Sequence, residues 1–192
     1  MKKIIIVFII TSLSGIFTAH AQMQKGSILV GADVGKFDLN LSNGGNFTMD
    51  ISPKVGYFIK NNLAIGGYVK LGVSIIEGAG TSTNYGIGGL GRYYINDKEI
   101  NLLKKGRFFL EATLGIEGNN KASGGNTNGL GLGFGPGYSY LISPNIALEG
   151  LLKYNGIVGI GSSATNNDLL LGIGFQIYLP YKKVATIIKT AN

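Results

Sequence analysis

The 192-residue chain contains no cysteine and no tryptophan, and its single histidine, His20, lies near the N-terminus. Without cysteine there is no disulfide framework, no thiolate metal site, no cysteine nucleophile and no lipoprotein anchor. Residues 1–21 read as a secretory signal peptide. Lys2 and Lys3 form the basic start, Ile4–Ile10 begin the apolar stretch, and Ala19-His20-Ala21 is a small-x-small cleavage site. Cleavage would remove His20 as well, which excludes a Ser-His-Asp triad and the usual zinc ligands. It would also remove Lys2 and Lys3, lowering the formal charge from +7 to +5. Charged residues are scarce, at 14%. No stretch after the signal is apolar for long enough to cross a membrane as a helix. Proline is rare at 4 residues, while glycine is abundant at 32 without a Gly-X-Y period, so the chain is neither collagen-like nor simply disordered.

What the chain does have is alternation. In Gly129–Tyr140 the residues Leu130, Leu132, Phe134, Pro136, Tyr138 and Tyr140 alternate with Gly129, Gly131, Gly133, Gly135, Gly137 and Ser139. A period of two gives a β-strand with two unlike faces, one bulky and apolar, the other with almost no side chain. Such a strand suits the wall of a narrow barrel with lipid outside and a crowded interior. The same pattern recurs over 26–35, 47–58, 63–75, 84–95, 107–117, 146–155 and 168–179. Eight segments of this length predict an all-β, eight-stranded antiparallel up-and-down transmembrane β-barrel over 22–179, with both ends on one side and a tail at 180–192.

The connections alternate as well. Lys36–Asn46, Gly78–Thr83, Gly118–Asn128 and Gly156–Asn167 are rich in Gly, Asn, Ser and Thr and read as loops. Lys60-Asn61-Asn62 and Ser143-Pro144-Asn145 read as tight turns. Asn96–Gly106 is longer, and its Lys98, Lys104 and Lys105 suit anionic headgroups. Tyr57, Tyr93, Tyr94, Phe108, Phe109, Tyr138, Tyr140 and Tyr178 cluster at the short-turn ends and read as an interfacial girdle. Phe37, Phe47 and Tyr85 would form a thinner one at the other end.

Charges within the strands fall largely on the glycine-rich face: Asp33, Asp50, Lys54, Lys70, Arg92, Glu111, Glu117, Glu149, Lys153 and Asp168. A lysine or arginine facing lipid at mid-bilayer costs about 2–4 kcal/mol, so this parity has a cause if that face is the lumen. Lys54, Lys70, Arg92, Glu111, Glu149 and Lys153 are the candidate lumen network. They either plug the barrel or line a narrow pore. Eight strands leave an interior that side chains can fill, which favours the plug.

Other chemistry finds little support. Gly129–Gly137 does not open a helix and lacks the Gly-Lys-Ser/Thr of a phosphate loop. Glu111 and Glu149 form a conceivable acid–base pair, but salt-bridged lumen carboxylates are the simpler reading. No basic patch interleaved with aromatics suggests nucleic acid. No cofactor, metal or catalytic residue is expected.

Three stretches resemble the small outer-membrane β-barrels of Gram-negative bacteria, the porin-like and OmpA-like barrels. The first is Ile51-Ser52-Pro53-Lys54-Val55-Gly56-Tyr57-Phe58 followed by Asn62-Leu63-Ala64-Ile65-Gly66. The second is Gly135-Pro136-Gly137-Tyr138-Ser139-Tyr140 followed by Asn145-Ile146-Ala147-Leu148-Glu149. The third is the alternating last strand. The resemblance implies residence in the outer membrane among lipid and lipopolysaccharide, and insertion by the barrel assembly machinery. It does not imply one activity. Such chains usually end on an aromatic residue of the last strand, whereas Pro180–Asn192 continues past Tyr178. The expectation is a monomeric barrel with a structural or surface-interaction role. The alternatives are a narrow channel for small solutes and a soluble secreted barrel binding an apolar ligand. The last would require the bulky apolar face to point inward.

Overall fold

The computed structural model describes residues 23–39, 46–76, 78, 80–95, 106–122, 124, 126–160 and 165–180. The signal segment, residues 96–105 and residues 181–192 lie outside them. Eight strands form a closed barrel in chain order: β1 (Ile28–Leu39), β2 (Asn46–Lys60), β3 (Leu63–Ile76), β4 (Gly80–Ile95), β5 (Gly106–Asn120), β6 (Thr127–Ser143), β7 (Ile146–Gly159) and β8 (Thr165–Leu179). Each pairs antiparallel with its neighbours. Closure satisfies the backbone within the sheet, the condition for crossing hydrocarbon with strands.

Followed strand to strand, the partners of Ile28 are Tyr57, Ile65, Gly91, Ala112, Phe134, Tyr154 and then Leu169. Ile28 itself pairs with Leu179, ten residues further along β8. That stagger tilts the strands and sets the narrow bore of the barrel.

The faces follow the alternation. Leu132 is 46% exposed and Leu171 72%, both on the outer wall, while Arg92 is 1% exposed inside. Val55, Ile65, Leu71, Leu110, Leu114 and Leu148 join the outer set. An apolar belt of this extent does not occur on a soluble monomer. The observed orientation is opposite to the one a soluble barrel with a greasy interior requires, so that alternative falls.

Two expectations need correction. Strands run further at the long-loop end than alternation predicts: Lys36–Leu39, Gly80–Thr83, Gly118–Asn120 and Gly156–Gly159 are strand, although they read as loop. The ladder is a matter of backbone hydrogen bonding, so it continues through residues whose side chains carry turn chemistry. The girdle also loses three members. Tyr94, Phe109 and Tyr178 are buried inside the barrel, whereas Tyr57, Tyr93, Phe108 and Tyr140 face outward and Tyr138 packs on Phe108 with ring centroids 4.9 Å apart. Adjacent aromatics on one strand must point to opposite faces, so Tyr93-Tyr94 and Phe108-Phe109 each send one ring inward. At the other rim Tyr85 is exposed and donates to Asn128 Oδ1 at 2.6 Å.

The turn-side opening is closed from within. Met23, Leu29, Phe58, Ala64, Tyr94, Phe109, Ala147, Leu151 and Tyr178 form its apolar floor. Met23 is brought there by the segment before β1. Its carbonyl accepts from Asn62 N–H at 2.8 Å, the Lys25 N–H donates to Asn61 Oδ1 at 3.0 Å, and the Gly26 N–H donates to the Phe58 carbonyl at 2.8 Å. Asn62 has φ 64°, the left-handed conformation that asparagine tolerates and that closes this tight turn.

Candidate functional site: a charged lumen

Above the apolar floor lies a cluster of ionised side chains contributed from all round the wall. Arg92 and Glu111 are direct partners across β4 and β5. Arg92 Nη2 donates to Glu111 Oε2 at 2.6 Å and Nε to the same oxygen at 3.1 Å. Arg92 Nη1 reaches across the lumen to Glu149 Oε2 at 2.6 Å and to the Tyr94 hydroxyl at 3.1 Å. The guanidinium carbon sits 4.1 Å from the Phe109 ring centroid, so an aromatic face backs the cation. Lys54 Nζ donates to Glu111 Oε2 at 2.8 Å and to Asp33 Oδ2. Lys153 Nζ is 3.4 Å from Glu111 Oε1.

The cluster is closed at its edges by neutral groups. The Tyr178 hydroxyl donates to Glu149 Oε1 at 2.8 Å and lies 2.9 Å from the Tyr94 hydroxyl and 3.2 Å from Ser139 Oγ. Gln176 Nε2 donates to Asp33 Oδ1 at 3.0 Å. Lys54, Arg92 and Lys153 thus face Asp33, Glu111 and Glu149, a locally neutral set. Neutrality and full hydrogen bonding are the two conditions under which buried charges are tolerable.

A second layer lies above. Glu117 accepts from Lys70 Nζ at 2.8 Å, the Tyr68 hydroxyl at 2.7 Å and Asn155 Nδ2 at 3.2 Å. Lys153 Nζ is 5.5 Å from the Tyr68 ring centroid and bridges the layers. A cavity of about 50 Å³ lies beside both layers, lined by Lys54, Lys70, Glu111, Thr113, Lys153 and Asn155 among others. It is roomy enough for a few waters, with the ionised groups on its lining as their partners.

Of the six residues singled out in the sequence, five share the lower cluster: Lys54, Arg92, Glu111, Glu149 and Lys153. Lys70 belongs to the upper layer with Glu117. Sequence reasoning left Asp33 and Glu117 among the general lumen charges, put Tyr94 and Tyr178 in the interfacial girdle, and gave Tyr68, Gln176 and Met23 no role. Parity on the strands is the signal that puts Tyr68, Tyr94 and Gln176 on the charged face. The arrangement can hold the bore shut and electrically neutral. Glu111 and Glu149 are both committed to Arg92, so these two are not free to act as an acid–base pair.

Towards the long-loop end the lumen opens. A cavity of about 230 Å³ is lined by Asp50, Lys70, Asn84, Asn119, Lys121 and Asp168 among others, and a wider one of about 860 Å³ forms the mouth.

No family model matches the chain, and no curated protein matches it. Solved structures do. Neisserial surface protein A (NspA) superimposes with a TM-score of 0.52 at 22% identity, covering 79% of this chain and 95% of that one. The outer membrane protein OprG from Pseudomonas aeruginosa gives 0.48 at 12% identity, over 83% and 99%. The outer membrane enzyme PagL gives 0.45 at 14%, over 78% and 98%. At these identities the likeness is one of fold. The chain has the fold of the small Gram-negative outer-membrane barrels, an eight-stranded antiparallel up-and-down transmembrane β-barrel.

Proposed function

We propose that this is an integral outer-membrane barrel with a structural or surface-interaction role, its lumen plugged by the charged network, and that it is not an enzyme. One observation carries the plug: the Arg92 side chain has no exposed surface and is held by Glu111 and Glu149 from two sides of the bore. An ion moving along the axis would have to part these pairs and then pass the apolar floor. Export would use residues 1–21 as a cleaved signal. The surroundings would be outer-membrane lipid and lipopolysaccharide, with the barrel assembly machinery engaged during insertion, and the protein would act as a monomer. Planar-bilayer recording on the purified protein tests the plug. The expected result is no steady unitary conductance, and reproducible steps would overturn it. Outer-membrane fractionation with heat-modifiable gel mobility tests the location, and a freely released protein would reject it.

The second reading is a narrow channel for small solutes. It is favoured by the wide mouth, which narrows through the 230 Å³ cavity to Lys70. Recording on Arg92→Ala separates the two. A channel conducts before the substitution and changes its conductance with it, while a plugged barrel is silent in the parent and, with the apolar floor intact, stays silent in the variant.

A further inference from the structure

The barrel is not equally closed all round. β1 pairs with β8 from Ile28↔Leu179 to Val34↔Ile173, and among the described residues the ladder stops there. Above that point Lys36–Leu39 pair with β2 alone, and Thr165–Gly172 pair chiefly with β7. The cause is local. The register of β1 on β2 shifts between Val34 and Lys36, so Gly35 is an extra residue with no partner. A bulge bends its strand and breaks the ladder on that strand, and here β1 keeps β2 and leaves β8. Beside the gap Leu169 and Leu171 are among the most exposed apolar side chains of the whole wall. Unpaired backbone facing hydrocarbon is the arrangement that membrane barrels otherwise avoid.

The mouth cavity reaches this gap. Its lining combines Val34, Leu171 and Ile173, which flank the seam, with Thr48, Ser74 and Asn84 inside the lumen. The space is therefore apolar where it meets the wall and polar where it meets the bore. Its volume, about 860 Å³, is that of a small-molecule site. Lys121 lines both this cavity and the 230 Å³ one beneath, which adds Asp50, Asp168 and Lys70. The deeper part thus carries both signs of charge. Asn119 Oδ1 also lies buried there without a hydrogen-bond partner among the described residues.

We propose that the upper β1–β8 seam and the mouth behind it bind a zwitterionic amphiphile. Its phosphate-and-ammonium head group sits in the lumen, and its acyl chain passes out between the strands onto Leu171 and Ile173. Each part of the ligand answers something the seam presents. The acyl chain covers the exposed leucines, the ester region meets the strand edges above the ladder, and the two charges of the head face Lys121 and the carboxylates that line the deeper cavity, Asp50 and Asp168. The site goes beyond the proposed role, and it leaves the axial plug intact.

The test uses the full barrel in phosphatidylcholine vesicles and a lysophosphatidylcholine carrying a photoreactive diazirine on its head group. Labelled residues are mapped by mass spectrometry. Labelling is expected on lumen-facing Thr48, Ser74 and Asn84. A diazirine phosphocholine with no acyl chain should label them about tenfold less. Asn84→Trp, which fills the polar half, should lower labelling about tenfold. Labelling confined to the outer wall, or unaffected by Asn84→Trp, would overturn the proposal. So would p-benzoylphenylalanine at 171 cross-linking to residues 181–192, which would give the seam to the chain's own tail. A bilayer recording with steady conductance would sink the plug without touching this site.

Discussion

The turn-side and loop-side halves of the barrel are built on different terms. In the turn-side half all eight seams are laddered, the bore is filled by rings, and Arg92, Glu111, Glu149 and Lys54 are each bonded to groups on other strands. In the loop-side half the β1–β8 ladder stops at Val34–Ile173 among the described residues, the lumen widens, and the hydrogen bond that Asp50 accepts from Asn84 Nδ2 is long, at 3.4 Å. Bulk and bonding are concentrated where the barrel must stay shut, and specific recognition is left to the end with room for it.

The sharpest way to break that comparison is to remove Arg92. Arg92→Ala leaves Glu111 and Glu149 buried and facing each other without their shared cation. Breaking such a group by deleting one partner costs about 3–5 kcal/mol. Urea unfolding of the barrel in vesicles should register that loss. Replacing the pair together, as Arg92→Met with Glu149→Gln, should recover most of it, since Glu111 keeps Lys54 and Lys153 and the set stays neutral. If Arg92→Ala unfolds like the parent, the cluster does not hold the turn-side half together.

Next in size is a charge on the outer wall. Leu132→Arg sits within the apolar belt and is expected to cost about 2–4 kcal/mol, while Ile160→Arg at the loop-side rim should cost about 0–1 kcal/mol. The pair measures depth directly by equilibrium unfolding. Equal costs at the two positions would mean that the belt does not lie where the exposed leucines put it.

Much of this was legible in the sequence because two signals have the same period. Bulky and small residues alternate on β6, and the charges fall on the small-residue face, so face and lumen could both be read from parity. Arg92 and Glu111 could be matched because neighbouring antiparallel strands were already in register. Glu149 could be placed on the right face, but its contact with Arg92 spans the bore and depends on the ten-residue stagger, which no local pattern encodes. The inward turn of Tyr94, Phe109 and Tyr178 was hidden by grouping aromatics by position along the strand instead of by parity. The β1–β8 opening was invisible for another reason. It lies in backbone pairing, and a bulge at Gly35 looks in sequence like one more glycine.

Glycines sharpen the contrast between inside and outside. At Gly137 a Cβ would run into the Phe109 ring and come within 2.8 Å of the Gly150 carbonyl oxygen. Gly137→Ala should therefore cost about 1–3 kcal/mol, as overpacking of a filled interior does. At Gly91, on the outer wall, a Cβ would meet nothing within 4 Å. Gly91→Ala should be neutral or stabilise by up to about 1 kcal/mol, since it narrows the unfolded ensemble without a clash. Chemical unfolding of the two variants side by side checks both. A penalty at Gly91 comparable to that at Gly137 would require a contact on the outer wall that the barrel alone does not supply.

The smallest effect belongs to the loop-side lumen. Asp50 lines an open cavity, and the hydrogen bond it accepts from Asn84 Nδ2 is long, at 3.4 Å. Asp50 is buried in the wall of that cavity, but asparagine keeps an acceptor at its position and no close ion pair to it is broken among the described residues. Asp50→Asn should shift unfolding by no more than about 0.5 kcal/mol, the range of substitutions away from tightly bonded groups. Removal of the charge at Glu111, by Glu111→Gln, should cost several times more, since Arg92, Lys54 and Lys153 all converge on that carboxylate. The ratio of the two losses, read in the same urea titration, is the quantitative form of the difference between the halves. A ratio near one would mean that the mouth is bonded as firmly as the floor, and that the open lumen contributes to holding the barrel together.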